Sequence, residues 1–61
     1  LMDEWMTPPE TADLVRRPTS TLAYWRHRNE GPPFAKVGRR VVYRRSDVVA
    51  WMEAQFSKAA S

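Results

Sequence analysis

Cysteine is absent from the chain and histidine occurs once, at His27, so neither a disulfide framework nor a Cys/His metal site can reinforce the fold. Glycine occurs only twice, at Gly31 and Gly38. The two lie far apart and each is explained by a turn, which excludes a glycine loop that cradles phosphate. No apolar run approaches the roughly 18 residues of a membrane span, and no leader with a basic start and an apolar middle precedes the first element. The expectation is a cytoplasmic chain with no membrane partner. Convergent reactive groups are missing too. There is one imidazole and no thiol, and Glu10 and Asp47 stand at predicted helix starts where capping accounts for them. No enzyme activity and no cofactor are expected.

Size limits the core. The chain has 61 residues, and a domain of about 60 residues buries only about 60% of the surface its unfolded chain exposes. A single small domain spanning 1–61 is expected, with an ordered core over about 5–56. The three Trp, two Tyr and two Phe are its natural anchors, since each aromatic can bury about 150–250 Å². The chain starts at Leu1 rather than Met, so both termini stay open.

Acids are scarce where bases are dense. From Arg16 to Arg45 there are nine Lys/Arg residues against the single acid Glu30, whereas outside that window six acids face Lys58 alone. A solvated basic surface would look the same in composition. A basic middle between acidic ends is more pointed, because clustered cations are the footprint of a phosphate-binding surface.

Thr7-Pro8-Pro9-Glu10 has the capping-box spacing, with two prolines at early positions that need no helical N–H, so a first helix begins there. Ala12, Leu14 and Val15 form its apolar face, and Pro18 is expected to end it. Trp5 and Met6 are expected to fold back on the core, although Trp5 is less constrained and could also stay exposed or meet a partner. A second helix follows from about Ser20 to Asn29; whether Thr19 or Ser20 caps it stays open. Leu22 and Trp25 fall on its inner side, and Ser20, Tyr24 and His27 on the outer, flanked by Thr21, Ala23 and Arg28. Gly31-Pro32-Pro33 stops it.

Phe34 to Arg44 reads as a β-hairpin with strands near 34–37 and 41–44 and a tip at Gly38-Arg39-Arg40. A lone hairpin is marginal in water, so this one is expected to pack on the helices through Phe34, Val37, Val41 and Tyr43, leaving Val42 and Arg44 facing away. A last helix over 46–56 starts with Ser46 as cap and Asp47 at its positive end, and buries Val48, Trp51, Met52 and Phe56. Residues 57–61 are expected to fray.

Two helices joined by so tight a turn suit a helix-turn-helix. On that arrangement the second helix would meet base edges through Thr19, Ser20, Thr21, Tyr24, His27 and Arg28. Arg39 and Arg40, with Lys36 beside them, would reach a minor groove or phosphates from the hairpin, and Arg16 and Arg17 would lie near phosphates. Each feature also has a plainer meaning. His27 can be an ordinary exposed histidine, and the tip arginines an ordinary polar turn. Arg44 and Arg45 can contact backbone or merely flank the last helix.

Thr7-x-x-Glu10-x-Ala12-x-Leu14-Val15, Ser20-Thr21-Leu22-x-x-Trp25, Pro32-Pro33-x-x-Lys36-Val37-Gly38-Arg39-Arg40-Val41-x-Tyr43 and Ser46-Asp47-Val48-x-x-Trp51 together resemble the excisionase family of MerR-like winged helix-turn-helix domains. The resemblance spans nearly the whole chain. It implies a small α+β fold of three helices and a two-stranded β-hairpin wing, with the second helix in the major groove and the wing on the adjacent minor groove or backbone. It further implies double-stranded DNA as partner, additional copies of the chain along that DNA, DNA bending and a site-specific phage integrase turned toward excision, all in a bacterial host's nucleoid. Related domains serve as small transcriptional regulators, and a protein-interaction module is the remaining alternative. Two features depart from the family pattern. Arg16-Arg17-Pro18 replaces the usual Gly-hydrophobic-Ser turn and resembles the version in some phage excisionases, and Tyr24 replaces a basic residue common in relatives. The long dimerising helix and effector domain of MerR regulators have no counterpart here, so no small-molecule effector is expected.

Overall fold

The computed structural model describes residues 4–60. The chain opens with a two-residue strand, β1 (Trp5–Met6), followed by helix α1 (Pro8–Val15) and helix α2 (Thr19–His27). A hairpin of β2 (Ala35–Val37) and β3 (Arg40–Arg44) runs directly into helix α3 (Arg45–Ala60). The sheet is antiparallel with order β1-β3-β2, so the expected two-stranded wing gains a third strand. Trp5 pairs with Arg44 and Met6 with Tyr43. This pairing places Met6 in the core, 3% exposed, while Trp5 points outward at 65%. Only half of the expected fold-back of these two residues therefore occurs, because adjacent strand residues face opposite ways.

The start of α1 follows its sequence signal. Thr7 Oγ1 accepts from the Glu10 amide and Glu10 Oε1 accepts from the Thr7 amide, which closes the capping box. Thr11 is fully buried on this helix beside Ala12, and its hydroxyl donates to the Thr7 carbonyl at 3.0 Å. That bond makes a buried threonine tolerable. The other end differs from expectation. The helix stops at Val15, before Pro18 can act, because Arg16 takes the left-handed conformation with φ 61°. The Arg17 amide then reaches back to the Ala12 carbonyl at 3.1 Å. Arginine thus occupies a closing position that usually falls to glycine.

Neither Thr19 nor Ser20 caps α2. Pro18 holds the N-cap position without a side-chain hydrogen bond, and its carbonyl accepts from Thr21 and Leu22. At the far end Asn29 is left-handed at φ 56°, with its amide bonded to Arg26 O and the Glu30 amide to Trp25 O at 2.7 Å. The two bonds together form a Schellman closure. The helix is accordingly shorter than the stretch to Asn29. Gly31 (φ 81°) then passes so near Trp25 that a Cβ there would lie 2.8 Å from Cε3 of the indole.

The core is small, as the chain length implies. Met6, Tyr43 and Val48 form its centre, with Leu14, Val15, Val41 and Met52 packed against them, and Leu22 is also fully buried. Trp25 and Trp51 are half-buried and meet with ring centroids 5.2 Å apart. Three expected core positions are exposed, Phe34, Val37 and Phe56. Phe56 sits beside, not on, the side of α3 that carries Trp51, Gln55 and Lys58 toward the end of α2, Val37 faces outward from β2, and Phe34 is exposed at 36%. Val37 pairs with Arg40 and Ala35 with Val42, and residues directly opposite share a face, so this set lies on the side away from Tyr43. Phe34 and Val37 are an odd number of residues apart and could not both face inward. Helix α3 starts one residue before Ser46 and continues past Phe56 to Ala60, where fraying was expected.

Candidate nucleic-acid interface

The exposed side of α2 carries the residues that helical spacing put there. Thr19, Ser20, Tyr24, His27 and Arg28 are exposed, and Thr21 is half-buried. Beneath them Leu22 is buried and Trp25 leans on Trp51, so the helix is fastened from one side only. This surface is polar and aromatic rather than basic.

The cations stand around it. Arg16 and Arg17 occupy the turn between α1 and α2, and Lys36, Arg39 and Arg40 occupy the hairpin. All five are exposed and make no ion pair among the described residues. Arg39 lies in the two-residue turn Gly38-Arg39, with positive φ at Gly38 alone, as a type II′ hairpin turn requires. Arg40 is not at the tip, as sequence spacing had it. It begins β3 opposite Val37. Strand alternation therefore divides the wing: Arg40 and Arg44 share the outer face, whereas Lys36 lies opposite Val41, on the side of Tyr43.

Two of the candidate cations have acidic neighbours. Arg44 Nε donates to Asp47 Oδ2 at 2.8 Å, across the junction of β3 and α3. Arg28 Nε donates to Glu30 Oε1 at 3.0 Å while its guanidinium lies 5.5 Å from the Tyr24 ring centroid. Arg45, which flanks the last helix, has a nitrogen 4.0 Å from Glu4 and an amide bonded to the Glu4 carbonyl.

One residue that matters to this geometry escaped the sequence reading. Arg26 reaches from α2 to the sheet, where its NH1 donates to the Tyr43 hydroxyl at 2.8 Å and its guanidinium stands 5.9 Å from the Phe34 ring centroid. The bond fixes the helix relative to the wing. A signal was present, since Arg26 follows Leu22 and Trp25 at i, i+3, i+4 and so belongs to the inner stripe. An arginine there reads as a flank because its charge suggests solvent, yet its long stem can cover apolar surface while the head finds a partner.

Trp5, Val37 and Val42 on the outer face of the sheet, with Pro33 and Phe34 from the segment just before β2, line a shallow apolar groove. Among the described residues no group of His, Asp and Glu could hold a metal ion, and no helix is long and apolar enough to cross a membrane.

Two helices joined by a three-residue turn, followed by a hairpin and a closing helix, define a winged helix-turn-helix. A family model described as "Helix-turn-helix domain" matches residues 5–55, and the chain belongs to that family of DNA-binding domains. No curated protein and no solved structure matches the chain.

Proposed function

We propose that this domain binds and bends double-stranded DNA at specific sequences, and that it acts as an excisionase: copies bind cooperatively at attachment-site DNA and direct a phage integrase toward excision. One observation carries the DNA-facing part. Five exposed cations, Arg16, Arg17, Lys36, Arg39 and Arg40, which make no ion pair among the described residues, flank a helix whose outward side offers hydroxyls, a phenol, an imidazole and an arginine. Cations of this kind supply phosphate affinity, and the helix side chains suit base edges. In this reading Thr19, Ser20, Thr21, Tyr24, His27 and Arg28 meet the major groove. Lys36, Arg39 and Arg40 meet the neighbouring minor groove or backbone, and Arg16, Arg17 and Arg44 lie on phosphates. The excisionase role is supported by the resemblance of the four sequence segments and, separately, by the Arg16-Arg17-Pro18 turn, which resembles the version in some phage excisionases.

The experiment is a duplex-binding titration over salt, followed by circular-permutation gels and a reconstituted integrase reaction. If these five cations each displace a counterion, log affinity falls against log salt with a slope of about −4.5. A flat salt response rejects DNA binding and leaves the protein-interaction module. A straight complex rejects bending. Specific binding that leaves excision unchanged points instead to a small transcriptional regulator.

A further inference from the structure

Arg28 stands just beyond α2, and two neighbours set the pose of its guanidinium. Tyr24, one turn earlier on the same side of the helix, has its ring centroid 5.5 Å from the guanidinium carbon. Glu30 Oε1 accepts a hydrogen bond from Arg28 Nε–H at 3.0 Å. The backbone at this carboxylate is itself fixed, because the left-handed Asn29 and the 2.7 Å bond from the Glu30 amide to Trp25 O hold it against the end of α2. All three side chains are accessible; Arg28 and Glu30 are 56% and 53% exposed.

The position of Glu30 calls for an explanation. It is the single acid between Arg16 and Arg45, where any carboxylate weakens attraction to phosphate. An exposed pair of this kind adds little to stability. Its chemical effect is specific, however. A guanidinium has five N–H donors in a rigid fork. With Nε–H donated to Glu30 and the group held over the Tyr24 ring, the two terminal nitrogens stay available side by side. Such an edge fits two adjacent acceptors, and in the major groove a guanine offers them as O6 and N7.

Resting on the reading of α2 as the groove-facing helix, we infer that Tyr24, Arg28 and Glu30 form a preset reader of one guanine. Arg28 makes the bidentate contact and Tyr24 is the shelf beneath it. Glu30 is a positioning residue that turns the fork outward, and its charge repels phosphate, which keeps Arg28 from settling on the backbone. Glu30 thus lowers affinity for arbitrary sequence and raises discrimination.

The test selects preferred sites from randomised duplexes with the wild type, Arg28→Lys and Glu30→Gln, and then replaces each selected guanine by 7-deazaguanine, which lacks the N7 acceptor. For the wild type, one such replacement lowers affinity by about tenfold or more, within the range of a bidentate pair. Arg28→Lys loses the preference for that guanine and becomes insensitive to the replacement. Glu30→Gln binds random duplex severalfold more tightly, while its ratio of specific to random affinity falls severalfold; a merely structural pair would not move these in opposite directions. Unchanged melting temperatures for both variants show that folding is not what changed. Retention of the wild-type preference by both variants, or no sensitivity to 7-deazaguanine at any position, overturns the reader while leaving DNA binding intact. Absence of any duplex binding overturns the broader function with it.

Discussion

Replacing Gly31 by alanine tests how tightly the end of α2 is packed. The added Cβ would stand 2.8 Å from Cε3, 3.0 Å from Cβ and 3.1 Å from Cδ2 of Trp25, at a backbone φ of 81°. An L residue forced to positive φ costs about 1–2 kcal/mol. Overpacking costs about 1–3 kcal/mol more, since the three close atoms belong to the stem and inner ring of Trp25, which is also in ring contact with Trp51. The sum of about 2–5 kcal/mol is large beside the roughly 3–9 kcal/mol that a chain of 61 residues holds at ordinary stability per residue. At about 4–8 °C per kcal/mol, the melting temperature should fall by about 8–40 °C. Gly38→Ala is the natural control, since Gly38 also has positive φ (64°) but meets nothing within 4 Å. It should lose only the backbone part, about 5–15 °C. Thermal melts followed by circular dichroism, with tryptophan fluorescence reporting on Trp25, separate the two. If Gly31→Ala melts no lower than Gly38→Ala, the close approach to Trp25 is not a constraint and the reasoning fails.

Arg16→Gly should move stability and binding in opposite directions. Relief of the left-handed arginine raises stability by about 1 kcal/mol in a denaturant titration, and loss of one phosphate contact reduces the magnitude of the salt slope by about 0.9. Arg39→Ala should lower that magnitude similarly without stabilising the fold, because Arg39 does not share the positive φ of Gly38. Trp25→Ala removes a half-buried ring and its contact with Trp51, and a loss of about 2–4 kcal/mol in chemical denaturation is expected. Tyr43→Phe deletes the acceptor for Arg26 and should cost about 1 kcal/mol in the same assay, since the half-exposed guanidinium can turn to water.

The elements with local grammar were legible in the sequence. Thr7 and Glu10 carry a reciprocal bond that their spacing alone announces, and Gly38 marks a turn between two β-favouring runs. Leu22, Val48 and the outward set on α2 follow from helical period. What escaped depends on contacts between distant segments. A strand of two residues, Trp5 and Met6, is too short to show alternation and exists only because β3 offers a partner. The left-handed Arg16 is invisible locally, since arginine has no preference for that conformation. Phe56 keeps the apolar spacing of α3, yet the side of the helix that faces the end of α2 runs through Trp51, Gln55 and Lys58 and leaves Phe56 exposed, so spacing alone overstates its burial. Among the candidate interface residues, exposure could be read from pattern. The acidic partners of Arg28 and Arg44 could not, because each depends on how the chain turns just beyond a helix or strand end.

The bond between Arg26 and the Tyr43 hydroxyl gives the domain the mechanics of a caliper. Its two jaws are α2 and the hairpin, and β3 is braced further because it sits in the middle of the sheet and passes without a loop into α3. On the proposed function, a tool with so fixed a gauge does not adjust to the distance between a major groove and the next minor groove. The duplex must do so, and the energy of deforming each base step then becomes part of what selects a site, even at positions no side chain touches.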